Sequence, residues 1–416
     1  MFRKLQTFDE AKKTIADHFK PVFLGEENVV LLEAYNRVLN EDIISGIDIP
    51  PFNRSTVDGY AVKAEDTFGA SENKAVKLKV TGVVNVGEQP KIAVGRGETA
   101  EIVTGAPIPP GADAVVMVED TEREDTELSV FEAVTASENV MKKGTDIKIG
   151  KVVLRRGQVL GSSEIGVIAA LGLTSVKVLK IPVVAVLSTG GEVNELGKEL
   201  LPGKIFDINA YSISTAVIES GGKPLYLGVV PDDKDDLMKS LQTALLSADM
   251  VITSGGVSVG PKDYTPQIVD SLGKPGIVVY GVAVKPGKPT TVGFVNEKPI
   301  FSLPGHPTSA LLIFYLLARP LVLQLAGRSP TNLKSVKAVA GARLFSAKGR
   351  RTFVMVRLEF DEKSRLIAEP VGTGASGAIT TLANADGFVE IGENEQFVDV
   401  DQEIMVYLLK GSLGNI

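Results

Sequence analysis

The sequence predicts a multidomain protein of α/β plus β class. Its centre is a doubly wound, mostly parallel α/β domain, joined by an inserted β module, an N-terminal helical segment and a C-terminal small β-barrel. Three observations predict it. Strand-like apolar runs alternate with helix-period segments from about 176 to 327, the pattern of a parallel sheet covered on both faces. Short β-rich runs broken by Gly and Pro fill the stretches on either side, 47–149 and 332–416. At 416 residues the chain is longer than one ordinary domain, and roughly two to four are expected.

Taken in order, Thr7 opens the first helix with a capping box closed by Glu10, and Phe8, Ala11, Ile15, Ala16 and Phe19 follow at helical spacing. His18, in that helix, reads as a surface residue because no other ligand-type side chain clusters with it. Segments 76–84, 101–104 and 114–118 read as strands of the β module, with Pro109-Pro110-Gly111 as a break. After Ser162-Ser163-Glu164 the pattern of 152–173 turns helical, and this piece is expected to pack back against the first helix, making the β module an insertion. In the α/β region the strands are 183–187, 225–229, 250–253 and 299–303; the helices are 209–220, 234–248 and 309–325, with Gly221-Gly222 stopping the first. The last of these is interrupted by Arg319-Pro320 and reads as a buried helix, not a membrane span. Strands at 336–340, 352–360, 366–370, 387–391 and 403–409 complete a small barrel or sandwich. The expected domains are therefore 1–46 with 147–176 as an elongated linker, 47–146 as the β module, 177–328 as the α/β domain and 329–416 as the barrel.

Composition excludes several functions. The chain has no cysteine, which removes disulfides, thiolate metal sites and cysteine nucleophiles and is compatible with a reducing, cytoplasmic setting. No basic and apolar leader opens it, so no secretory signal is expected. A net charge of −7 without a Lys/Arg-rich tract argues against nucleic acid as partner, and no membrane is expected. With only 2 histidines, a histidine metal cluster or a Ser-His-Asp triad is not expected. An acidic chain repels anions at long range, so any anion site must be built locally from glycine N–H groups, a few lysines and a cation.

Loops at the ends of the α/β strands carry the chemistry. Ligands in open α/β sheets bind beyond the carboxyl ends of strands. The run Thr253-Ser254-Gly255-Gly256-Val257-Ser258-Val259-Gly260-Pro261-Lys262-Asp263 follows a strand and reads as a phosphate or oxyanion cradle with a cation held by Asp263. It is not a P-loop: Pro261 stands where that motif needs lysine, and Lys262 where it needs Ser or Thr. Glycine count alone does not separate such a cradle from an ordinary strand-to-helix turn. Three further loops, Ser188-Thr189-Gly190-Gly191-Glu192, Phe206-Asp207-Ile208-Asn209 and Leu303-Pro304-Gly305-His306-Pro307, have the spacing of successive βα units and can converge on one cleft. On local grounds Asp207 reads equally as a helix N-cap. Glu192, Asp207 and Asp263 offer oxygen ligands for a hard cation such as Mg²⁺. Lys285-Pro286-Gly287-Lys288-Pro289 places cations on a stiff backbone suited to an anion. In the β module, 53–62, 104–113 and the loop Lys143-Gly144-Thr145-Asp146 gather hydroxyls, carboxylates and turn residues.

Assembled, these residues resemble the molybdopterin molybdenumtransferase family, which includes the E domain of gephyrin. The resemblance runs through nearly the whole chain and rests on Ser55-Thr56-Val57-Asp58-Gly59-Tyr60-Ala61, Thr104-Gly105-Ala106-Pro107-Ile108-Pro109, Ser254-Gly255-Gly256-Val257-Ser258-Val259-Gly260, Lys285-Pro286-Gly287-Lys288-Pro289 and Leu303-Pro304-Gly305. It implies an elongated homodimer that receives adenylylated molybdopterin and molybdate, requires Mg²⁺, inserts the metal into the dithiolene and releases AMP. Tungstate would fit as well as molybdate. It extends the partners to a molybdopterin adenylyltransferase and to molybdoenzyme apoproteins. It marks Asp58, Asp146, Glu192, Asp207, Asp263, Lys285 and Lys288 as catalytic, and Thr104, Thr189, Asn209, Ser254, Gly255, Gly256, Ser258, Pro304, Arg350 and Ser376 as substrate or nucleotide contacts. Two positions depart from the family pattern: Gly191, where Asp or Asn is usual, and His306, where Asn is common. An adenylyltransferase-like activity and a gephyrin-like scaffold are the rival readings. The β module and barrel weigh against the first; the absence of a long linker and fused partner domain weighs against the second.

Overall fold

The computed structural model describes residues 5–256, 264–330, 333–372 and 379–409. The chain divides into two compact units, one formed by 29–35 with 39–176 and the other by the remainder.

The smaller unit is built on a six-stranded sheet ordered Ala114–Met117, Gly59–Val62, Glu98–Ile102, Val76–Val84, Glu127–Val130, Thr121–Glu124. Both faces are buried, and alternation along the strand sorts them: Tyr60 and Val62 join Leu78, Val116 and Leu128, while Ala61 joins Ala100, Ile102 and Val115 on the opposite side. Gly59 is required at its position, because a Cβ there would stand 1.9 Å from the Val116 carbonyl oxygen. The flanks of this module meet: Ile49 bridges Ile147, and Ile43–Ile44 pairs antiparallel with Val152–Leu154. The helix Ser162–Ala170 begins with the Glu164 carboxylate accepting the Gly161 N–H at 2.9 Å.

The larger unit holds the α/β domain and the barrel. The α/β sheet is six-stranded, ordered Lys223–Val230, Val183–Thr189, Met250–Ser254, Lys298–Leu303, Thr291–Val295, Pro275–Tyr280. The first four strands are parallel and the last two antiparallel. Val184, Val186, Ile252, Phe301 and Leu303 face the helices Asn209–Glu219 and Pro307–Ile313. Ala185, Leu187, Val251 and Ile300 face Lys234–Ser247 and Thr265–Leu272. The sequence reading missed the two antiparallel strands and with them the edge of the sheet.

The first helix, Phe8–His18, has the expected Thr7–Glu10 capping box. Its packing departs from expectation. Phe8, Ala11 and Ile15 are buried with Val282, Val284, Phe294 and Phe353, so the helix belongs with the α/β domain and not with the 147–176 segment. A stripe that is small and aromatic fits the gap beside the sheet edge, where Phe8 meets Phe353 edge-on at 5.5 Å.

The segment Pro307–Leu325 is long and apolar enough to cross a membrane, yet Leu312, Ile313, Phe314, Leu317 and Val322 lie in the core. Its middle, Phe314–Ala318, is π-helical, and Pro320 follows after Arg319. Proline has no N–H to donate, and the wider turn absorbs the missing bond. In the C-terminal domain, Arg351–Phe360, Leu366–Pro370, Ser335–Ala340, Glu403–Leu408 and Gly387–Ile391 pair in that order, and the last pairs back onto the first, closing a barrel. Val284–Lys285 adds to it in parallel, with Lys285 opposite Thr352.

Candidate functional site

The parallel register sets the first site. Ser188, Ser254 and Leu303 lie side by side at the carboxyl ends of adjacent strands, so the loops that follow them open on the same side. Gly255 bends away immediately, with φ of +89°; a Cβ there would stand 2.2 Å from the Thr189 carbonyl oxygen. Gly256, at φ +65°, would bring a Cβ to 2.7 Å from Thr189 Oγ1. Both glycines therefore serve close approach to Thr189. The Gly255 N–H is already used, donating to the Leu303 carbonyl at 3.1 Å. It is not available to an anion, so an anion cradle here would not draw on this amide. Ser258 and Asp263 lie outside the described residues.

Asp207 is buried and receives three donors: the Ser188 hydroxyl at 2.8 Å, the Ala210 N–H at 3.0 Å and the Tyr226 hydroxyl at 3.0 Å. It holds an N–H in the first turn of the helix Asn209–Glu219 and also ties two strands together. Burial, and then the neighbouring Asp207 charge, push the Tyr226 hydroxyl far above the usual tyrosine range, so it stays a donor. Tyr226 was not singled out from the sequence. The loop carrying Asp207 follows a two-residue strand, Ile205–Phe206, that pairs with Val193–Asn194 and not with the central sheet. It is an excursion from the first βα loop, not a fourth βα unit.

Asn209 donates its amide to Ser254 Oγ at 2.6 Å and to the Gly305 carbonyl at 2.7 Å. Its Oδ1 and Thr189 Oγ1 are buried and have no hydrogen-bond partner among the described residues. Buried polar oxygens without partners are rare and mark a place for a ligand. Glu192, exposed, lines the same small cavity of about 60 Å³ as Thr189, Asp207, Asn209 and Ser254. The Gly191 N–H donates to the Asp232 carboxylate at 3.1 Å, and Lys204 donates to the Gly191 carbonyl. Asp232 was missed, although it lies in the loop directly after the strand Lys223–Val230, where the same carboxyl-end rule applies. Among the described residues no group of three or more His, Asp or Glu side chains forms a metal cluster.

A second cavity, of about 520 Å³, opens between the α/β domain and the barrel. Lys285, Lys288, Pro304, His306 and Arg350 line it, with Val284, Phe345, Phe353 and Met355 as apolar wall. The lysine loop is fixed: the Val282 N–H donates to the Lys288 carbonyl at 3.0 Å and the Thr290 hydroxyl to the Gly287 carbonyl at 2.7 Å. Gly287 has φ +110°, and a Cβ there would press into Ile313 at 2.6 Å. Ser376 lies outside the described residues. The two cavities share one wall: Pro304 and His306 face the larger, Gly305 and Pro307 the smaller.

In the smaller unit three segments come together. Ser55 N–H donates to the Ala106 carbonyl and Thr56 N–H to the Asn139 carbonyl, each at 3.0 Å. Asn53 Oδ1 accepts the Lys143 N–H at 2.8 Å. Asp58 accepts both the N–H of Thr104, at 2.6 Å, and its hydroxyl, at 2.8 Å. The amide and then the hydroxyl hold the exposed Asp58 carboxyl below the usual aspartate range. Asp58 and Thr104, picked separately from the sequence, thus form one pair. Asp146 is exposed at the end of the Lys143 loop, its N–H on the Ile49 carbonyl at 3.0 Å.

Comparison with known proteins covers the whole length. The MoeA N-terminal region (domain I and II) matches residues 6–172, a probable molybdopterin binding domain 185–324, and the MoeA C-terminal region (domain IV) 337–409. A putative molybdopterin biosynthesis protein of Methanocaldococcus jannaschii is 33% identical, over 99% of this chain and 96% of its own length. The molybdopterin molybdenumtransferase of Bacillus subtilis is 32% identical, over 98% of this chain and 95% of its own. A crystal structure of a molybdopterin biosynthesis MoeA protein from Pyrococcus horikosii has a TM-score of 0.81 at 42% identity, covering 98% of this chain and 100% of that one.

Proposed function

This chain belongs to the molybdopterin molybdenumtransferase family, enzymes of molybdenum cofactor biosynthesis, and we propose that it transfers molybdenum from molybdate to adenylylated molybdopterin with release of AMP. One observation carries the reading: a cavity lined by Lys285, Lys288 and Arg350 shares a backbone wall with a pocket holding Glu192, Thr189 and Asn209. Pyrophosphate and molybdate are both anions, and they repel unless cations lie between them. The larger cavity supplies fixed cations; the smaller supplies oxygen donors.

The donors of the smaller pocket fit Mg²⁺. The Glu192 carboxylate and the unpartnered Thr189 Oγ1 and Asn209 Oδ1 are hard oxygen ligands. Mg²⁺ held there would supply Lewis-acid polarisation of a phosphoryl oxygen. Asp207 already accepts three hydrogen bonds, so its role is to set Ser188 and the start of the helix that carries Asn209. Ser254 and the Gly305 carbonyl fix the Asn209 amide so that Oδ1 points away from them. Lys285 and Lys288 hold phosphate and molybdate oxygens as point charges and stabilise the charge that develops on departing AMP. Arg350 adds a planar fork of donors. Asp263, Ser258 and Ser376 complete the proposed set from outside the described residues. Asp58 with Thr104, and Asp146, are proposed substrate contacts of the other unit.

The reading further includes a homodimer, a cytoplasmic location, contacts with a molybdopterin adenylyltransferase and with molybdoenzyme apoproteins, acceptance of tungstate, and division into β module, α/β and barrel domains. The test is to give the pure protein adenylylated molybdopterin, molybdate and Mg²⁺. Expected is AMP release that stops when molybdate is left out. Adenylylation of molybdopterin by ATP, with release of pyrophosphate, would instead make it an adenylyltransferase.

A further inference from the structure

The backbone that carries Lys285 is held from two sides. On one side Gln6 bridges Val282: the Gln6 N–H donates to the Gly281 carbonyl at 3.3 Å, and the Ala283 N–H to the Gln6 carbonyl at 2.8 Å. On the other side the Arg351 N–H donates to the Ala283 carbonyl at 3.0 Å, and Lys285 lies opposite Thr352. A side chain then joins the two flanks. Arg351 donates to both oxygens of Asp9, from Nη1 at 3.0 Å and from Nη2 at 2.8 Å. Asp9 lies in the first turn of the first helix, three residues after Gln6. The contacts close a ring that runs from Gln6 through 281–283 to Arg351, across to Asp9, and back along the chain to Gln6.

This ring borders the large cavity without entering it. Val284, Lys285, Arg350 and Thr352 line the cavity. Arg351 packs instead over the Phe8 ring, 5.3 Å from its centroid, and its side chain is 16% exposed. Glu390 and Glu393, from the barrel, approach the same guanidinium at 3.2 Å each. Asp9, by contrast, is 66% exposed, and an ion pair so open to water adds little to global stability. What a two-pronged arginine–carboxylate pair does supply is geometry, because a planar fork fixes both distance and rotation where a lysine fixes neither.

We propose that Arg351 is a positioning residue of the reaction: its fork on Asp9 sets the 281–285 backbone, and with it Lys285, against the barrel edge that carries Arg350. It acts through Lys285 and touches no substrate. The proposal rests on the reading that Lys285 takes part in the AMP-releasing reaction.

The test is a double-mutant cycle on AMP release from adenylylated molybdopterin, with molybdate and Mg²⁺, using the full chain. A small displacement of a catalytic group slows turnover steeply, so Asp9→Ala and Arg351→Lys should each slow release by about ten-fold. Asp9→Ala should leave the melting temperature within about 2 °C of wild type. In a Lys285→Ala background, Asp9→Ala should slow release no further, because the group it positions is gone. A full ten-fold loss from Asp9→Ala in that background would make the pair a general support of the fold and overturn the proposal. Wild-type rates in both Asp9→Ala and Arg351→Lys would overturn it as well, while leaving the proposed function standing. No AMP release by the wild type, or a wild-type rate from Lys285→Ala, would overturn the reading of the cavity itself and this proposal with it.

Discussion

The two cavities that meet across residues 304–307 are built on opposite plans. In the smaller, the buried Asp207 and Asn209 are woven into the fold: Asp207 holds two strands and a helix start, and Asn209 spans Ser254 and Gly305. In the larger, Lys285 is exposed on a loop whose shape is set by its backbone and by Gly287, not by its charge. The difference teaches where damage should register. Change Asp207 or Asn209 in the small pocket and the fold answers first. Change a cation in the large one and only chemistry answers.

That contrast can be broken at several places, the largest effect first. Gly255→Ala puts a Cβ at 2.2 Å from the Thr189 carbonyl in a left-handed backbone, and neither backbone can yield cheaply. It should lower stability by about 3 kcal/mol or more in urea unfolding. Lys285→Ala should slow AMP release by roughly 100-fold, the scale of losing one preorganised charge stabiliser, with an unchanged melting temperature. If it melts early instead, the distinction between the two cavities fails. Asp207→Asn keeps the shape but replaces an acceptor of three donors. About 2 kcal/mol of stability should go, measured by the same urea titration. Tyr226→Phe removes one of those donors and should cost about 1 kcal/mol; the pair should be non-additive because they share one bond.

The smallest effect concerns Asp58. Its folded pKa is depressed, so the Thr104 contact favours the fold while the carboxylate is ionised and is lost as pH falls through that lowered value. Thr104→Val removes the hydroxyl but keeps the larger cause, the amide. The Asp58 titration, followed by nuclear magnetic resonance, should move only part of the way up to the usual range.

Much of this architecture was legible because it is local and periodic. Apolar runs such as 183–187 and 250–253 can only be buried strands, and helices starting at Asn209 and Lys234 carry their stripes plainly. The strands Pro275–Tyr280 and Thr291–Val295 were not legible. Each carries a glycine, Gly276 and Gly293, and they pair at a two-stranded edge whose partner lies across a turn-rich loop. The addition of Val284–Lys285 to the barrel is a long-range pairing that no local pattern announces. At the site, the residue types were readable and the partnerships were not. Asp207 looked like an N-cap, and its carboxylate does accept the Ala210 N–H at the helix start, but Ser188 and Tyr226 reach it from other strands. Asp232 obeyed the carboxyl-end rule and was passed over because its loop has no glycines. At Gly255 the glycine serves close packing against Thr189, and its N–H is spent on the Leu303 carbonyl, a partnership that no local pattern shows.

The most direct measurement is the rate of AMP release from adenylylated molybdopterin, with molybdate and Mg²⁺, in Glu192→Gln and in Lys285→Ala side by side. If the acidic pocket and the cationic cavity serve one reaction across their common wall, each single variant slows release by about 100-fold. A wild-type rate from either variant would contradict that joint role.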